Sequence, residues 1–246
     1  MKRTLCIFTL LFTGLALCAQ EPLKNLSLDS WSRDGKVWVP DGWGTGNKGT
    51  ITLGKNVTEP EDSFLAVKGP GKRAARLRSE FIGVLGMGKF ASASLYTGHF
   101  IKVVGTSGAQ LSFGQPYNAS RPKSLHGYYA YTPGIIDYAG KSKEHLKGKT
   151  DHGHIEIYLT NWKEPFLIDN SCGKNLDPKA PYVIGYAVIE LDRKTNGYVE
   201  FDIPIHYVSD QKPTFIGIMA ASSKWGDTFT GSTQSVLYLD EFELRY

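Results

Sequence analysis

Apolar and polar residues alternate with period two through much of the chain. The pattern runs through "AARLRSEFIG" (74–83), "SLYTGHFIKVVG" (94–105), "HIEIYLTNW" (154–162), "YVIGYAVIEL" (182–191), "GYVEFDIPIHY" (197–207), "TFIGIMAASS" (214–223) and "SVLYLDEFELRY" (235–246). Successive side chains of a strand point to opposite faces, so each segment predicts a half-buried strand. Asn196-Gly197 adds a tight-turn signal. Long helical periodicity is scarce. Many short strands without intervening helices predict an all-β sandwich or jelly roll. Residues 106–150 and 161–181 carry only weak periodicity and are expected to be long loops, where binding sites often lie.

The first residues break this pattern. Lys2 and Arg3 precede an almost wholly apolar run from Leu5 to Leu17, and small residues near Ala19 lead into polar Gln20 and Glu21. That layout predicts a secretory signal peptide over residues 1–19, cleaved near Ala19, with a single domain over 20–246. The apolar run is short of the about 20 residues a spanning helix needs. Lipid anchoring at Cys18 is the alternative, although Leu17 stands where a small residue is expected. No other segment is apolar enough to span a membrane. The expected location is extracytoplasmic, in the periplasm or at the cell surface.

Charge and cysteine usage narrow the classes further. Losing Lys2 and Arg3 takes the formal net charge from +4 to +2. "GKRAARLR" (71–78) alternates too regularly to be a basic patch, so nothing points to a nucleic-acid partner. After cleavage only Cys172 remains, which excludes an internal disulfide and predicts a small, partly buried thiol.

The order of motifs resembles a known family. "LDSW" is followed by "VWVPDGWGTGNKG", "AARLRSEF", "KFASASLYTGHF", "LSFGQPYNASRPKSLHGYYAYTPG" and "FDIPIHY". The chain closes with "PTFIGIMAASSKWGDTFTGS" and "LYLDEFEL". From about residue 25 to 246 this is similar to the putative carbohydrate metabolism domain family. The resemblance implies a galactose-binding-like jelly roll and an exported role around carbohydrate. One departure is Thr233-Gln234, which stand in a stretch usually rich in glycine, so a stiffer loop is expected there.

A sugar presents hydroxyls at its edge and C–H groups on its face. A protein binds it by stacking an aromatic ring on that face and hydrogen-bonding the edge, on an apolar floor with a few placed polar groups. Trp43 in "GWGTGNKG", Trp162 in "WKEP", and Trp225 and Phe229 in "SKWGDTF" are candidate platforms, and so are Tyr128 and Tyr129 in "ASRPKSLHGYYAY". Each is equally suited to packing in a core. Arg121 supplies a fork of donors beside those tyrosines, or pairs with a carboxylate to hold a long loop.

Acidic residues open two further chemistries. Alternation along "VLYLDEF" puts Tyr238, Asp240 and Phe242 on one face, so Asp240 is expected to point inward among apolar neighbours, where an unpaired carboxylate is costly. By the family resemblance, Asp240 and Asp29 are candidate ligands of a structural Ca²⁺, with a hydrogen-bonded Asp as the alternative. Glycoside hydrolysis needs two carboxylates roughly 5–10 Å apart. Asp137, Asp151, Glu156 and Asp227 qualify by type alone, with Asp227 beside Trp225 the weak catalytic candidate or else a turn-stabilising residue. His152 and His154 share a strand face at a spacing that can chelate zinc, without a visible third ligand.

Three readings follow. The leading one is an exported carbohydrate-binding protein of a glycan capture or utilisation system, with an oligo- or polysaccharide ligand and possible outer-membrane protein partners. The others are a glycoside hydrolase or related enzyme, and a structural or adhesive component of a surface assembly.

Overall fold

The structure, a computed structural model, describes residues 23–85 and 87–246. The segment read as a leader, with Cys18, lies outside the described residues. Among these, the chain forms a jelly-roll sandwich of two large antiparallel sheets. One has nine strands, and its middle runs Ser94–Val104, Phe215–Ala221, Gly153–Thr160, Val183–Leu191. The other has five, ordered Val199–Pro204, Ser124–Thr132, Val236–Arg245, Ala74–Arg78, Thr58–Glu61. No described helix is long and apolar enough to cross a membrane.

The predicted strands form because one residue in two can be buried between the sheets. Ile155, Ile157 and Leu159 meet Ile216, Ile218 and Ala220 from the neighbouring strand, and Leu77, Leu125, Leu237 and Leu239 close over them from the five-stranded sheet. The run 74–83 is broken at Ser79 into Ala74–Arg78 and Glu80–Val84, and the second piece pairs with Met87–Ala91 as a separate hairpin. The segment 106–150, expected to be loop, holds Gly108–Phe113 and the nine-residue strand Ser124–Thr132. Eight of those nine positions are at least partly covered on one face or the other: Leu125 and Tyr131 face the sandwich core, while His126 packs edge-on against Tyr128. With both faces clothed, period-two contrast disappears.

The terminal strand corrects a second expectation. Leu237 and Leu239 face the core, which leaves Tyr238 and Asp240 on the outer face of the five-stranded sheet. Glu241 then adopts φ 49°, and the register to Ser124–Thr132 slips between His126 and Tyr128. The added residue restores Phe242 to the core. Asp240 is buried beneath the connection that follows Glu61, accepting hydrogen bonds from the amides of Ala66 (2.8 Å) and Val67 (3.3 Å). Phe64 of that connection packs on Tyr198 and Tyr238. Cys172, expected to be partly buried, is exposed.

One polar cluster sits inside the sandwich. Asp151 is fully buried. Its Oδ2 accepts from Ser223 Oγ (2.6 Å), Ser235 Oγ (2.8 Å) and the Ser232 amide (2.8 Å), and its Oδ1 from the His152 amide (2.8 Å). Ser79 Oγ bonds the hydroxyls of Ser222 (2.7 Å) and Ser223 (3.0 Å), and Tyr131 Oη donates to the Ser222 carbonyl. Both ends of the loop after Phe215–Ala221 are thus tied to one carboxylate. Burial pushes that carboxyl up, opposed by these hydrogen bonds. Removing a partner from a buried network strands the rest without water. Asp151→Ala is expected to lower the unfolding free energy by about 3 kcal/mol, read as a lower urea midpoint at unchanged slope. A loss of under about 1 kcal/mol would show the cluster to be dispensable.

Candidate functional site

The outer face of the nine-stranded sheet is the floor of a groove of about 730 Å³. Strand pairing puts His154 opposite Glu190, Glu156 opposite Val188 and Tyr158 opposite Tyr186, and on the other side Ala221 opposite His154 and Met219 opposite Glu156. These are the polar halves of the alternating segments, so what reads in sequence as a solvated face is a covered floor. Walls rise from the hairpin Glu80–Ala91, from the loops around 106–109 and 170–178, and from residues 223–229. Gly217 lets the Phe113 ring approach the sheet closely, where a Cβ would come within 2.3 Å of it. There Phe113, Tyr158 and Trp162 form an apolar cluster.

The Asp151 cluster aims the wall formed by 223–229. Ser223 is pinned, the Lys224 amide donates to the His152 carbonyl (2.6 Å), and the chain turns through a single 3-10 turn at Gly226–Thr228. The turn ends at Phe229 in the left-handed region, φ 55°. Trp225 lies with its ring 5.2 Å from that of His152, and Lys89 Nζ sits 4.9 Å above the Phe229 ring. Asp227 is exposed and accepts from Asn175 Nδ2 (3.0 Å), yet crowding by the groove walls pushes its carboxyl up. Asp137 clips the far end of the loop by accepting from Thr233 N (3.2 Å) and Oγ1 (2.6 Å), so the departure at Thr233 does add a restraint.

Of the candidate platforms, the structure brings Trp225 and Phe229 together with Asp227 in this groove. The others lie elsewhere. Trp43 is buried, with its Nε1 donating to the Asn25 carbonyl (3.1 Å) and its ring beside Phe242. Trp162 is buried among Phe113, Phe166, Tyr182 and Phe215. Tyr129 packs towards Phe201 and the core, while Tyr128 looks out from the five-stranded sheet against His126. Arg121 stacks 3.9 Å from the Tyr207 ring and reaches Asp210 only at 3.9 Å. It therefore lies outside the groove and leans on an aromatic ring rather than on a carboxylate.

Asp29 and Asp240 do lie near one another, but donors fill their surroundings. Lys72 Nζ is 3.0 Å from Asp29 Oδ2 and also contacts Glu241, while the Arg73 amide donates to Asp29 Oδ1 (2.8 Å). Although desolvation opposes it, Asp29 is held below its usual range by the Arg73 amide and the Lys72 ammonium. Calcium takes six to eight oxygens. An ammonium and amide N–H groups stand where those oxygens would be needed, so the residues present do not fit a calcium ion. Nor do His152 and His154 acquire a partner for zinc: no group of three His, Cys, Asp or Glu able to hold a metal occurs among the described residues.

Two groove carboxyls have unusual electrostatics: Glu156, a candidate by residue type alone, and Glu190, which the sequence reading did not single out. Glu156 Oε2 is 3.5 Å from Tyr186 Oη and its Oε1 3.9 Å from His154 Nε2. Desolvation pushes its carboxyl up to about 7 and pushes the imidazole of His154 down to about 4. Glu190, more open, contacts Lys224 Nζ and lies 3.8 Å from His152 Nδ1. Its Lys224 partner holds it below the usual range. The signal available in sequence was a pair of strands, "HIEIY" and "GYAVIEL", each placing a Glu on the polar face.

The sequence profile of the putative carbohydrate metabolism domain family matches residues 25–245. The chain belongs to that family. As a member of the putative carbohydrate metabolism domain family, it is a carbohydrate-related protein. Its fold is similar to that of a putative glycoside hydrolase from Bacteroides thetaiotaomicron, with TM-score 0.65, 22% identity, and 89% of this chain and 70% of that one covered. It is also similar to a putative glycoside hydrolase from Bacteroides vulgatus, with TM-score 0.65, 20% identity, and 88% and 94% covered. A comparison with curated proteins gives no match.

The Glu156 carboxyl gives a stability test with a definite sign. Its folded value of about 7 lies above the ordinary 4.5. Between those values the folded state holds a proton that the unfolded chain releases, so stability is full below about 4.5 and falls as pH rises to about 7. Glu156→Gln removes this cost. It is expected to stabilise the protein at pH 8 by roughly 2 kcal/mol and to change little at pH 4. Equal midpoints for the two proteins at pH 8 would contradict the assignment.

Proposed function

We propose that the protein binds an oligo- or polysaccharide chain in the groove on the nine-stranded sheet. It does so outside the cytoplasm, in the periplasm or at the cell surface, as part of glycan capture or utilisation. The observation that carries the reading is the composition of the groove. Tyr186, Trp225 and Phe229 offer ring faces, and Lys89, Asn175 and Asp227 stand beside them at the edges. An apolar platform with a few oriented polar groups suits a pyranose, whose C–H face stacks while its hydroxyls exchange hydrogen bonds with the rim. The groove is walled but not closed, which suits a segment of a longer chain. The carbohydrate names attached to the two Bacteroides structures support a sugar ligand. The apolar run after Lys2 and Arg3 supports export.

A polysaccharide panel run by affinity electrophoresis tests this. The purified protein is expected to be retarded by at least one glycan, and Trp225→Ala to weaken that retardation at least tenfold, about 1.4 kcal/mol. Arg121→Ala, on the remote Tyr207 ring, is expected to leave it unchanged. Binding lost in Arg121→Ala but kept in Trp225→Ala would move the site to the "ASRPKSLHGYYAY" loop.

A further inference from the structure

Glu156 and Glu190 share the groove floor in opposite surroundings. Pairing of Glu156 with Val188 and of His154 with Glu190 makes the two glutamates diagonal neighbours on adjacent strands. Such positions lie about 7–8 Å apart at the backbone. We propose that this pair hydrolyses a glycosidic bond of the bound glycan, Glu156 as the proton donor to the leaving oxygen and Glu190 as the base that activates water. The proposal rests on the binding reading above and adds a reaction to it.

The surroundings of each residue match its role. Glu156 is a poor structural group. Asp151 answers burial with four short hydrogen bonds, but Glu156 has a long contact to Tyr186, a weak one to Tyr158 and a neutral imidazole at 3.9 Å. Tyr186, Tyr158 and the Lys224 charge offset its desolvation only in part. That cost is what keeps a carboxyl protonated near neutrality, as a general acid requires. Glu190 is half-exposed and faces Lys224 and His152, which hold it ionised. An exposed Glu–Lys pair adds little stability by itself. Tyr186 and Trp225 flank the pair and would place a ring across it.

The step balances. The proton on Glu156 passes to the glycosidic oxygen as the bond from that oxygen to the anomeric carbon breaks. A water oxygen bonds to the anomeric carbon from the opposite face and gives its proton to Glu190. The products are a new reducing end and a free hydroxyl, with Glu156 ionised and Glu190 protonated, and solvent resets both. Inverting hydrolysis needs carboxyls about 6.5–9.5 Å apart with a water between them, and the diagonal backbone spacing of about 7–8 Å is compatible with that separation.

The test incubates the purified protein with soluble xylan, arabinan, galactan, mannan and mixed-linkage β-glucan. Binding is followed by affinity electrophoresis and cleavage by reducing ends. Reducing ends are expected from a polysaccharide that binds, with inverted anomeric configuration in the first products by NMR. Glu156→Gln and Glu190→Gln are each expected to cut release at least a hundredfold and to keep affinity within about threefold, which also reports that they are folded. Binding by the native protein without release would overturn the hydrolytic assignment and leave the binding reading standing. Undiminished release in Glu156→Gln would overturn it as well, and a retained configuration would contradict the role of Glu190. Failure to bind any of the five would sink the binding reading and this one with it.

Discussion

The groove depends on a carboxylate that never reaches it. Asp151 is fully buried, and its oxygens collect donors from Ser223, Ser232, Ser235 and the His152 amide. The three serines stand at the start and the end of the segment 222–235, so one side chain fixes both feet of the loop that carries Trp225, Asp227 and Phe229. Ser79 links the cluster to the strand break beside the Glu80–Ala91 hairpin, which forms another wall. A buried polar network of this kind holds one arrangement, because any slippage leaves donors stranded in a dry interior. The many Ser and Thr of "SSKWGDTFTGSTQS" are there to be anchored, while its Trp and Phe are held out over the sheet.

Much of the sandwich was legible because its central strands bury one face against the opposite sheet and leave the other polar. Where that contrast failed, the reading failed too. Ser124–Thr132 is covered on both faces and shows no alternation. Asp240 was assigned to the core because alternation was carried straight through a bulge at Glu241, and sequence alone does not announce an extra residue with φ 49°. Aromatic composition was equally blind. Trp43 lies in the same kind of Gly- and Asp-containing stretch as Trp225, and Trp162 beside polar Asn161 and Lys163, yet Trp43 and Trp162 are buried and Trp225 is in the groove. What separates them is which face of which strand they follow, and that is a property of pairing.

The most informative residue was hidden by a sound rule. The polar face of "HIEIY" reads as solvated, and on a single antiparallel sheet it would be. Here loops and a hairpin roof that face, so Glu156 is desolvated and its carboxyl rises to about 7. The same roof brings Lys224 down to Glu190. Two carboxyls of one type thus acquire opposite ionisation, one from desolvation and the other from its Lys224 partner. Asp29, with an ammonium and an amide as partners, shows how the same fold treats an acid that only holds a loop.

The central claim is that the glycan lies along the nine-stranded sheet. A crystal structure of the protein with an oligosaccharide from its bound polysaccharide tests it most directly. The account predicts a sugar ring stacked on Trp225 or Tyr186 with its glycosidic oxygen beside Glu156. A sugar seated instead against Arg121 and Tyr128, on the five-stranded sheet, would contradict it.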